Sequence, residues 1–163
     1  MQKYYKAHWG TLLIVLSTLL TVWFVWLAIA EFKQGSTSSI WVGLYLLALV
    51  FGCALFTIRG YTVTPDAILV QRLLWSTRLP LAGLQSARFE PLRLWGRIHI
   101  RIGNGGFFSF SGWNYNPRLG FYRVFVTDHR RIVLLRYPNR TVAISPAAPE
   151  EFVHDLTVAS HLA

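Results

Sequence analysis

Two long apolar runs dominate the first third of the chain. Residues 11–30 and residues 40–58 contain no Asp, Glu, Lys or Arg. At about 1.5 Å of rise per residue, either run is long enough to cross a hydrocarbon core of roughly 30 Å as a helix. The pattern therefore predicts two membrane-spanning helices. The nine-residue loop Glu31–Ser39 between them predicts that they form an antiparallel hairpin.

A cleaved signal peptide is the alternative interpretation of the first run, because Lys3 and Lys6 precede it and Ala28–Ala30 resembles a cleavage site. The apolar region of a signal peptide is usually about 7–15 residues long. This run has 20 residues and contains Trp23 and Trp26. We therefore interpret it as a transmembrane helix.

Small residues lie one helical turn apart in both runs, as Ser17 and Thr21 in the first and Ala48 and Gly52 in the second. Helices in lipid approach each other closely at such positions, so we expect these residues to face the other helix. Neither run contains an acidic, basic or histidine side chain. An ion pathway then has no candidate groups, which disfavours a small transporter subunit.

After residue 60 the pattern changes to short β-branched and aromatic runs separated by Gly, Pro, Asn and Asp, which is typical of an antiparallel sheet of about seven strands. A first hairpin is predicted at 61–64 and 68–74, around Pro65-Asp66. Further strands are predicted at 79–89, at 97–102 turned by Gly103–Gly106 into 107–111, at 121–127 paired with 131–137, and at 141–145.

The last segment changes to helical spacing. Phe152, Leu156 and Ala159 fall on one stripe. Pro149 suits the first turn of a helix, and Glu150–Glu151 suit the positive end of its dipole. The pattern predicts one amphipathic C-terminal helix that packs its apolar stripe against the sheet.

Composition and charge agree with a membrane protein. The chain is 53% hydrophobic and only 14% charged, which is too apolar for an average soluble domain. Lys3 and Lys6 precede the first span and Arg59 follows the second, whereas Lys33 in the loop is balanced by Glu31. The positive-inside rule then places both termini in the cytoplasm. We expect a transmembrane hairpin over residues 1–59 and a cytoplasmic domain over residues 60–163.

Several stretches of the C-terminal part carry a family resemblance. They are Tyr61–Val63 with Asp66, Leu119–Tyr122, and Val142–Pro146 followed by Pro149–Phe152. In this order they resemble the bacterial PH-like domains, which commonly follow a pair of transmembrane helices.

The resemblance covers about residues 60–157. It implies an α+β fold, a partly open antiparallel β-barrel of about seven strands capped by one C-terminal helix. It implies a binding or assembly role and brings no catalytic activity. Eukaryotic PH domains that bind phosphoinositides typically use a basic first hairpin, but the turn Thr64–Ala67 contains Asp66 and no basic residue. Binding of inositol phosphates in that manner is therefore not expected.

A basic strand face is the first candidate site. Arg97, His99 and Arg101 alternate with isoleucines, so the basic side chains share one face and the isoleucines share the buried face. Arg93 lies nearby in the sequence. Beside an anionic leaflet, each basic residue near the surface contributes about 1 kcal/mol to binding. These residues, with Arg118, are candidate lipid contacts, and an ordinary solvated strand face is the alternative.

An aromatic segment is the second candidate site. In Ser111–Arg118, turn-forming residues carry Trp113, Tyr115 and Arg118. Aromatic and arginine side chains are enriched at binding hot spots. An exposed pair of aromatic rings would dock a partner protein or insert at the lipid interface. Alternatively, Trp113 folds back over the mouth of the barrel.

Catalytic chemistry has no candidate residues in this sequence. The single cysteine, Cys53, lies in the second span, the five histidines lack metal-ligand spacing, and no nucleophile motif is present. We expect no enzyme activity, no cofactor, no metal and no nucleic-acid partner. The favoured function is a module at the cytoplasmic face of a bacterial-type plasma membrane that binds another protein or assembles with itself. A peripheral sensor of anionic lipid headgroups is the alternative.

Overall fold

The computed structural model describes residues 2–90, 100–117 and 119–161. Within these residues the chain forms an N-terminal strand, two long helices, nine further strands in two sheets and a C-terminal helix. Two apolar helices followed by a β domain with a final helix is the architecture that the sequence predicted.

The two long helices are α1, Thr11–Gln34, and α2, Thr37–Leu55. Both are long and apolar enough to cross a membrane. Their connection is much shorter than the predicted loop, because Gly35 ends α1 in a left-handed conformation (φ 71°) and Ser36 at once begins α2. The Ser36 side chain accepts a hydrogen bond from the backbone N–H of Ser39 at 3.1 Å, which satisfies a donor of the first helical turn.

The predicted small-residue contact between the helices is not present at Gly52. A Cβ added to Gly52 would have nothing within 4 Å, and the Ser17 hydroxyl donates to a carbonyl of the β domain. The close approach lies at Gly43, where a Cβ would meet the Phe32 ring at 2.5 Å. A large aromatic side chain against a glycine therefore fixes how the two helices align.

The first sheet contains an element that the sequence did not predict. Its four strands, all antiparallel, run in the order β1 (Lys3–Lys6), β2 (Ile58–Val63), β3 (Ala67–Arg72) and β4 (Ser76–Pro80). The hairpin of β2 and β3 confirms the prediction around Pro65-Asp66. The strand β1 precedes the helices in the chain, yet Tyr5 is buried in the core of the β domain.

The second sheet holds six described strands, in the order β5, β9, β10, β8, β7, β6. They are β5 (Ser86–Phe89), β6 (Ile100–Gly105), β7 (Phe110–Asn116), β8 (Gly120–Val126), β9 (Val133–Tyr137) and β10 (Arg140–Ile144). Strands β8 and β10 are parallel, and the other pairs are antiparallel. Both sheets are open, and they do not close into a barrel.

Three strand predictions need correction. The turn predicted at Gly103–Gly106 lies further along the chain, because β6 continues to Gly105 and the connection to β7 is formed by residues 106–109. The segments 121–127 and 131–137 form strands, but β10 lies between them, so β8 and β9 are not a hairpin. A 3-10 turn at His129–Arg131, capped by Asp128, leads the chain away from β8 before β9 begins. The single strand predicted at 79–89 is two strands, β4 and β5, which belong to different sheets.

The C-terminal helix, α3 (Pro149–His161), closes the core between the sheets. Phe152 and Leu156 are fully buried, and Ala159 packs against the same cluster. The Phe152 ring contacts the rings of Tyr5 and Tyr61 edge-on, with centroids 5.0 and 6.5 Å apart. The predicted apolar stripe is therefore the face that packs against the sheets.

Candidate functional site

The β domain is attached to the helices at one end and without a flexible linker. Strand β2 begins at Ile58, and only two residues separate it from Leu55 at the end of α2. At the other helix, the backbone N–H of Gly10 donates to the carbonyl of Thr127 at 2.9 Å. Leu13, in the first turn of α1, is fully buried in an apolar cluster on the second sheet. These contacts define the helix end of the domain.

The turn Thr64–Ala67 lies at the opposite end of the domain. It follows β2, whose six residues start directly after α2, so it is roughly 15–20 Å from the helix end at about 3.3 Å per residue. Its acidic residue, Asp66, forms an ion pair with Arg78. This first turn of the β domain is therefore distant from the helices.

Strands β6, β7 and β8 carry exposed large apolar side chains on one shared face. Ile102, Trp113 and Phe121 are 62%, 45% and 58% exposed. We call this set, together with Tyr115 and Arg123, the aromatic face. Register pairs Ile102 with Trp113, Trp113 with Arg123, and Tyr115 with Phe121, so all five side chains project from the same side of the sheet.

Contacts within the aromatic face hold its side chains in place. The Arg123 guanidinium lies 5.9 Å from the centre of the Trp113 ring and 4.9 Å from that of Phe125. The rings of Tyr115 and Phe121 are 5.1 Å apart. A cation held over aromatic rings keeps its charge at the surface while covering apolar area. The face can thus offer both apolar contact and one positive charge.

The segment with Trp113 is a strand instead of the predicted turn. Ser111–Asn116 belong to β7. The glycine in this segment, Gly112, serves strand pairing instead of a turn. At Gly112 a Cβ would lie 2.2 Å from the carbonyl oxygen of Ile102. The glycine therefore allows β6 and β7 to approach closely. Trp113 and Tyr115 both lie on β7 and remain candidate contacts.

The basic strand face is only partly described. Arg93, Arg97, His99 and Arg118 lie outside the described residues, as does the side chain of Arg101, whose backbone belongs to β6. The isoleucine face was expected to be buried, but Ile102 is exposed and joins the aromatic face. Among the six described strands β6 lies at the edge of the sheet, so alternation along it does not separate core from solvent.

A cleft of about 680 Å³ lies between the starts of α1 and α3 and the turn after β8. On its wall, His8 Nδ1 is 3.1 Å and Arg131 Nε is 3.7 Å from a carboxylate oxygen of Asp128. The Thr127 hydroxyl in this wall donates to the His8 carbonyl at 2.8 Å. These polar groups fasten the start of α1 to the sheet. Among the described residues, no three His, Cys, Asp or Glu side chains form a group that could hold a metal.

Comparison with known families decides what this domain is. The family model for the bacterial PH domain matches residues 59–160, which is more than half of the chain. The chain belongs to the bacterial PH domain family. No significant match was found among curated proteins or among solved structures. Membership agrees with the resemblance seen in the sequence, and it is consistent with a module that binds protein or lipid.

Tyr61 and Ser145, two of the residues that carry the family resemblance, form a buried polar centre of this PH domain. The Tyr61 hydroxyl donates to the Phe125 carbonyl at 2.7 Å and accepts from the backbone N–H of Ser145 at 3.1 Å. The Ser145 hydroxyl accepts from the backbone N–H of Thr127 at 2.8 Å. Burial raises the pKa of Tyr61 to about 12. These residues connect the two sheets and do not form an accessible site.

Sequence reasoning missed Arg72 of the PH domain, at the helix end. Its guanidinium is buried between the rings of Phe56, Trp75 and Phe125, 5.3–5.8 Å from their centres. One of its nitrogens donates to the Phe56 carbonyl at 3.2 Å. Burial, with the nearby charge of Arg123, lowers the pKa of Arg72. The aromatic residues after α2 and before β4 were the available signal, but only the fold brings them together.

Proposed function

We propose that this protein is a non-enzymatic, membrane-anchored PH module that binds a partner protein through the aromatic face. The observation that carries the proposal is the exposure of Ile102, Trp113 and Phe121 side by side on three strands. Clustered exposed apolar side chains on a folded domain usually mark an interaction site. Tryptophan, tyrosine and arginine are also the residues that contribute most to protein interfaces.

Charge favours a different protein over a second copy as the partner. The chain has a net charge of +9, and Arg123 lies within the aromatic face. A two-fold symmetric contact between two such faces would place the same surface on both sides. Two arginines would then be brought close together, which costs free energy without a counter-charge. We therefore assign a partner with an apolar surface and an acidic rim.

The proposed anchor is the pair α1 and α2, which crosses the plasma membrane of a bacterial cell twice. Lys3, Lys6 and Arg59 flank the helices on the side of the domain, whereas the short connection near Lys33 also carries Glu31. The positive-inside rule then assigns the PH domain and both termini to the cytoplasm. The partner would accordingly be a cytoplasmic protein or the cytoplasmic part of a membrane protein.

Photo-crosslinking in native membranes tests the proposed function. A photoreactive amino acid at Trp113 or Phe121 should form protein adducts of defined mass, whereas the same group at Val158, which is 49% exposed on α3, should not. Arg123→Glu should strongly reduce the adducts because it reverses the charge that faces the acidic rim. Arg136→Glu, at an exposed position of β9, is the matched control and should not reduce them.

Three outcomes would contradict this assignment. Adducts of twice the chain mass would indicate self-assembly. Adducts to phospholipid at Trp113 and Phe121 would indicate that the face lies on the bilayer, which favours the lipid-sensing alternative. Equal adducts at Val158 would show that the labelling is not specific to the face.

A further inference from the structure

The connection between β6 and β7 lies against the first long helix. We call residues 105–109 the hairpin tip. The ring of Phe107 is 6.0 Å from that of Phe24 in the middle of α1, and the Phe108 ring is 6.5 Å from that of Trp9. Phe107 is buried by these contacts. The tip therefore extends along α1 beyond the body of the β domain.

The alignment of the two helices shows how far the tip extends. Gly43 of α2 packs against Phe32 of α1. Because the helices are antiparallel, Phe24, eight residues before Phe32, is level with Phe51, eight residues after Gly43. Phe51 lies four residues before the end of α2 at Leu55, a distance of about 6 Å along the axis. The tip therefore lies beside the part of α1 that runs alongside α2.

The hairpin has the composition of a segment that leaves water. Residues 102–117 contain no Asp, Glu, Lys or Arg, and they include three phenylalanines, a tryptophan and a tyrosine. Arg101 and Arg118 are the first charged residues on either side. The surface of α1 next to the tip is also apolar, with Leu19 63% and Trp23 53% exposed.

Five polar backbone groups of the tip are bonded to side chains of Asn104 and Ser17. The Asn104 side-chain oxygen Oδ1 accepts from the backbone N–H groups of Gly106 and Phe107 at 3.2 and 2.9 Å, and the side-chain Nδ2 donates to the Phe107 carbonyl at 2.5 Å. The Ser17 hydroxyl donates to the Gly106 carbonyl at 3.3 Å and accepts from the Phe108 N–H at 2.9 Å. Non-helical backbone is tolerated at membrane depth only when its polar groups are satisfied in this way.

We propose that the hairpin tip is a third membrane-embedded element, inserted beside α1 into the leaflet next to the PH domain. Lipid surrounds the tip in this proposal, because the tip lies against the apolar surface of α1 and carries no charged side chain. The proposal rests on the proposed membrane anchoring. It deepens the function as well: a domain held by α1, α2 and the tip cannot swing freely, so the aromatic face is presented at a fixed height.

Depth measurement on the full-length chain in liposomes tests the proposal. In a Cys53→Ser background, a nitroxide spin label is placed at Gly105, an exposed position of the tip. Labels at Trp26, which is 62% exposed on α1, and at Val158 are the lipid and water references. Collision rates with oxygen and with a water-soluble nickel chelate are compared. The oxygen-to-nickel ratio at Gly105 should be close to that at Trp26 and severalfold above that at Val158.

A ratio at Gly105 equal to that at Val158 would overturn the proposal. If Trp26 itself gives an aqueous ratio, the membrane anchor fails, which is a separate result. Failure of the crosslinking at the aromatic face would leave the depth result unaffected. The two proposals can therefore fail independently.

A substitution on α1 gives a second test in which the labelled position itself stays the same. Ser17→Val removes both hydrogen bonds to the tip and keeps α1 apolar. The tip should then withdraw toward water, so nickel collisions at Gly105 should rise severalfold while those at Trp26 stay unchanged. Thr21→Val, which removes the other hydroxyl on this side of α1, is the matched control and should change neither. An unchanged value at Gly105 in Ser17→Val would contradict an embedded tip.

Discussion

At the scale of single residues, the most informative positions are buried hydroxyl groups with distant partners. Ser17 looked like a helix-packing residue in the sequence, yet its hydroxyl bonds to backbone atoms 89 and 91 residues away. Tyr61 and Ser145, which carry the family resemblance, meet across the two sheets. A hydroxyl that bonds to buried backbone fixes geometry, because leaving such groups unpaired costs free energy.

Tyr61→Phe should lower the free energy of unfolding by about 1–3 kcal/mol, because the Phe125 carbonyl and the Ser145 N–H lose their buried partner. Tyr4→Phe is the matched control. The Tyr4 hydroxyl donates to the Arg59 carbonyl at 2.9 Å, but Tyr4 is 52% exposed, so water replaces the bond and the loss should stay below about 0.5 kcal/mol. Denaturant unfolding of the full chain in detergent measures both. Equal losses would show that the buried network does not contribute more than a surface bond.

At the scale of elements, the C-terminal helix shows how a local pattern predicts packing. The stripe of α3 with Phe152 and Leu156 is the face that fills the space between the sheets. Its opposite face, with Val158, is exposed. A stripe at helical spacing identifies the buried face because only one side of an amphipathic helix can meet the core.

Phe152→Asp should destabilise the protein by about 3–5 kcal/mol, since it removes a fully buried ring and places an unpaired charge in the core. Val158→Asp puts the same charge on the exposed face of α3 and should cost less than about 1 kcal/mol. Thermal and denaturant unfolding of the two variants, compared side by side, give the difference. A cost for Phe152→Asp as small as that for Val158→Asp would mean that α3 does not support the sheets.

At the scale of the whole molecule, the N-terminal segment joins the helices to the β domain. Strand β1 pairs with β2, and the Lys3 ammonium lies 2.5 Å from a carboxylate oxygen of Asp155 on α3. Hydrogen bonds from Lys3 and Tyr5 lower the pKa of Asp155 to about 2. The chain thus passes through the β domain before α1 and returns to it directly after α2. Both ends of the helical hairpin are fixed to one folded unit.

The proposed topology can be tested with reporters. A reporter that is active only in the cytoplasm should be active when fused after Ala163, because the positive residues flank the helix ends next to the domain. The same reporter inserted between Gly35 and Ser36, at the connection of α1 and α2, should be inactive. Activity at the connection and none after Ala163 would reverse the orientation.

The sequence by itself determined the features that depend on neighbouring residues. Twenty uncharged apolar residues predict a helix that can span a bilayer wherever they occur. The apolar stripe of α3 and the turn at Pro65-Asp66 are equally local, and the structure confirms both. The motifs around Tyr61 and Ser145 were sufficient to suggest the family, which the match over residues 59–160 shows.

Only the tertiary structure decided which distant segments are neighbours. In the sequence, Lys3–Lys6 is only a basic segment before the first apolar run. It forms a strand because its backbone pairs with that of β2. Insertion of β10 between β8 and β9 depends on pairing in the sheet, and no local period encodes strand order. Ser17 likewise acquires its partners from the hairpin tip. Alternation and helical spacing in the sequence predict which side chains share a face. Which other segment packs against that face depends on long-range contacts in the folded chain.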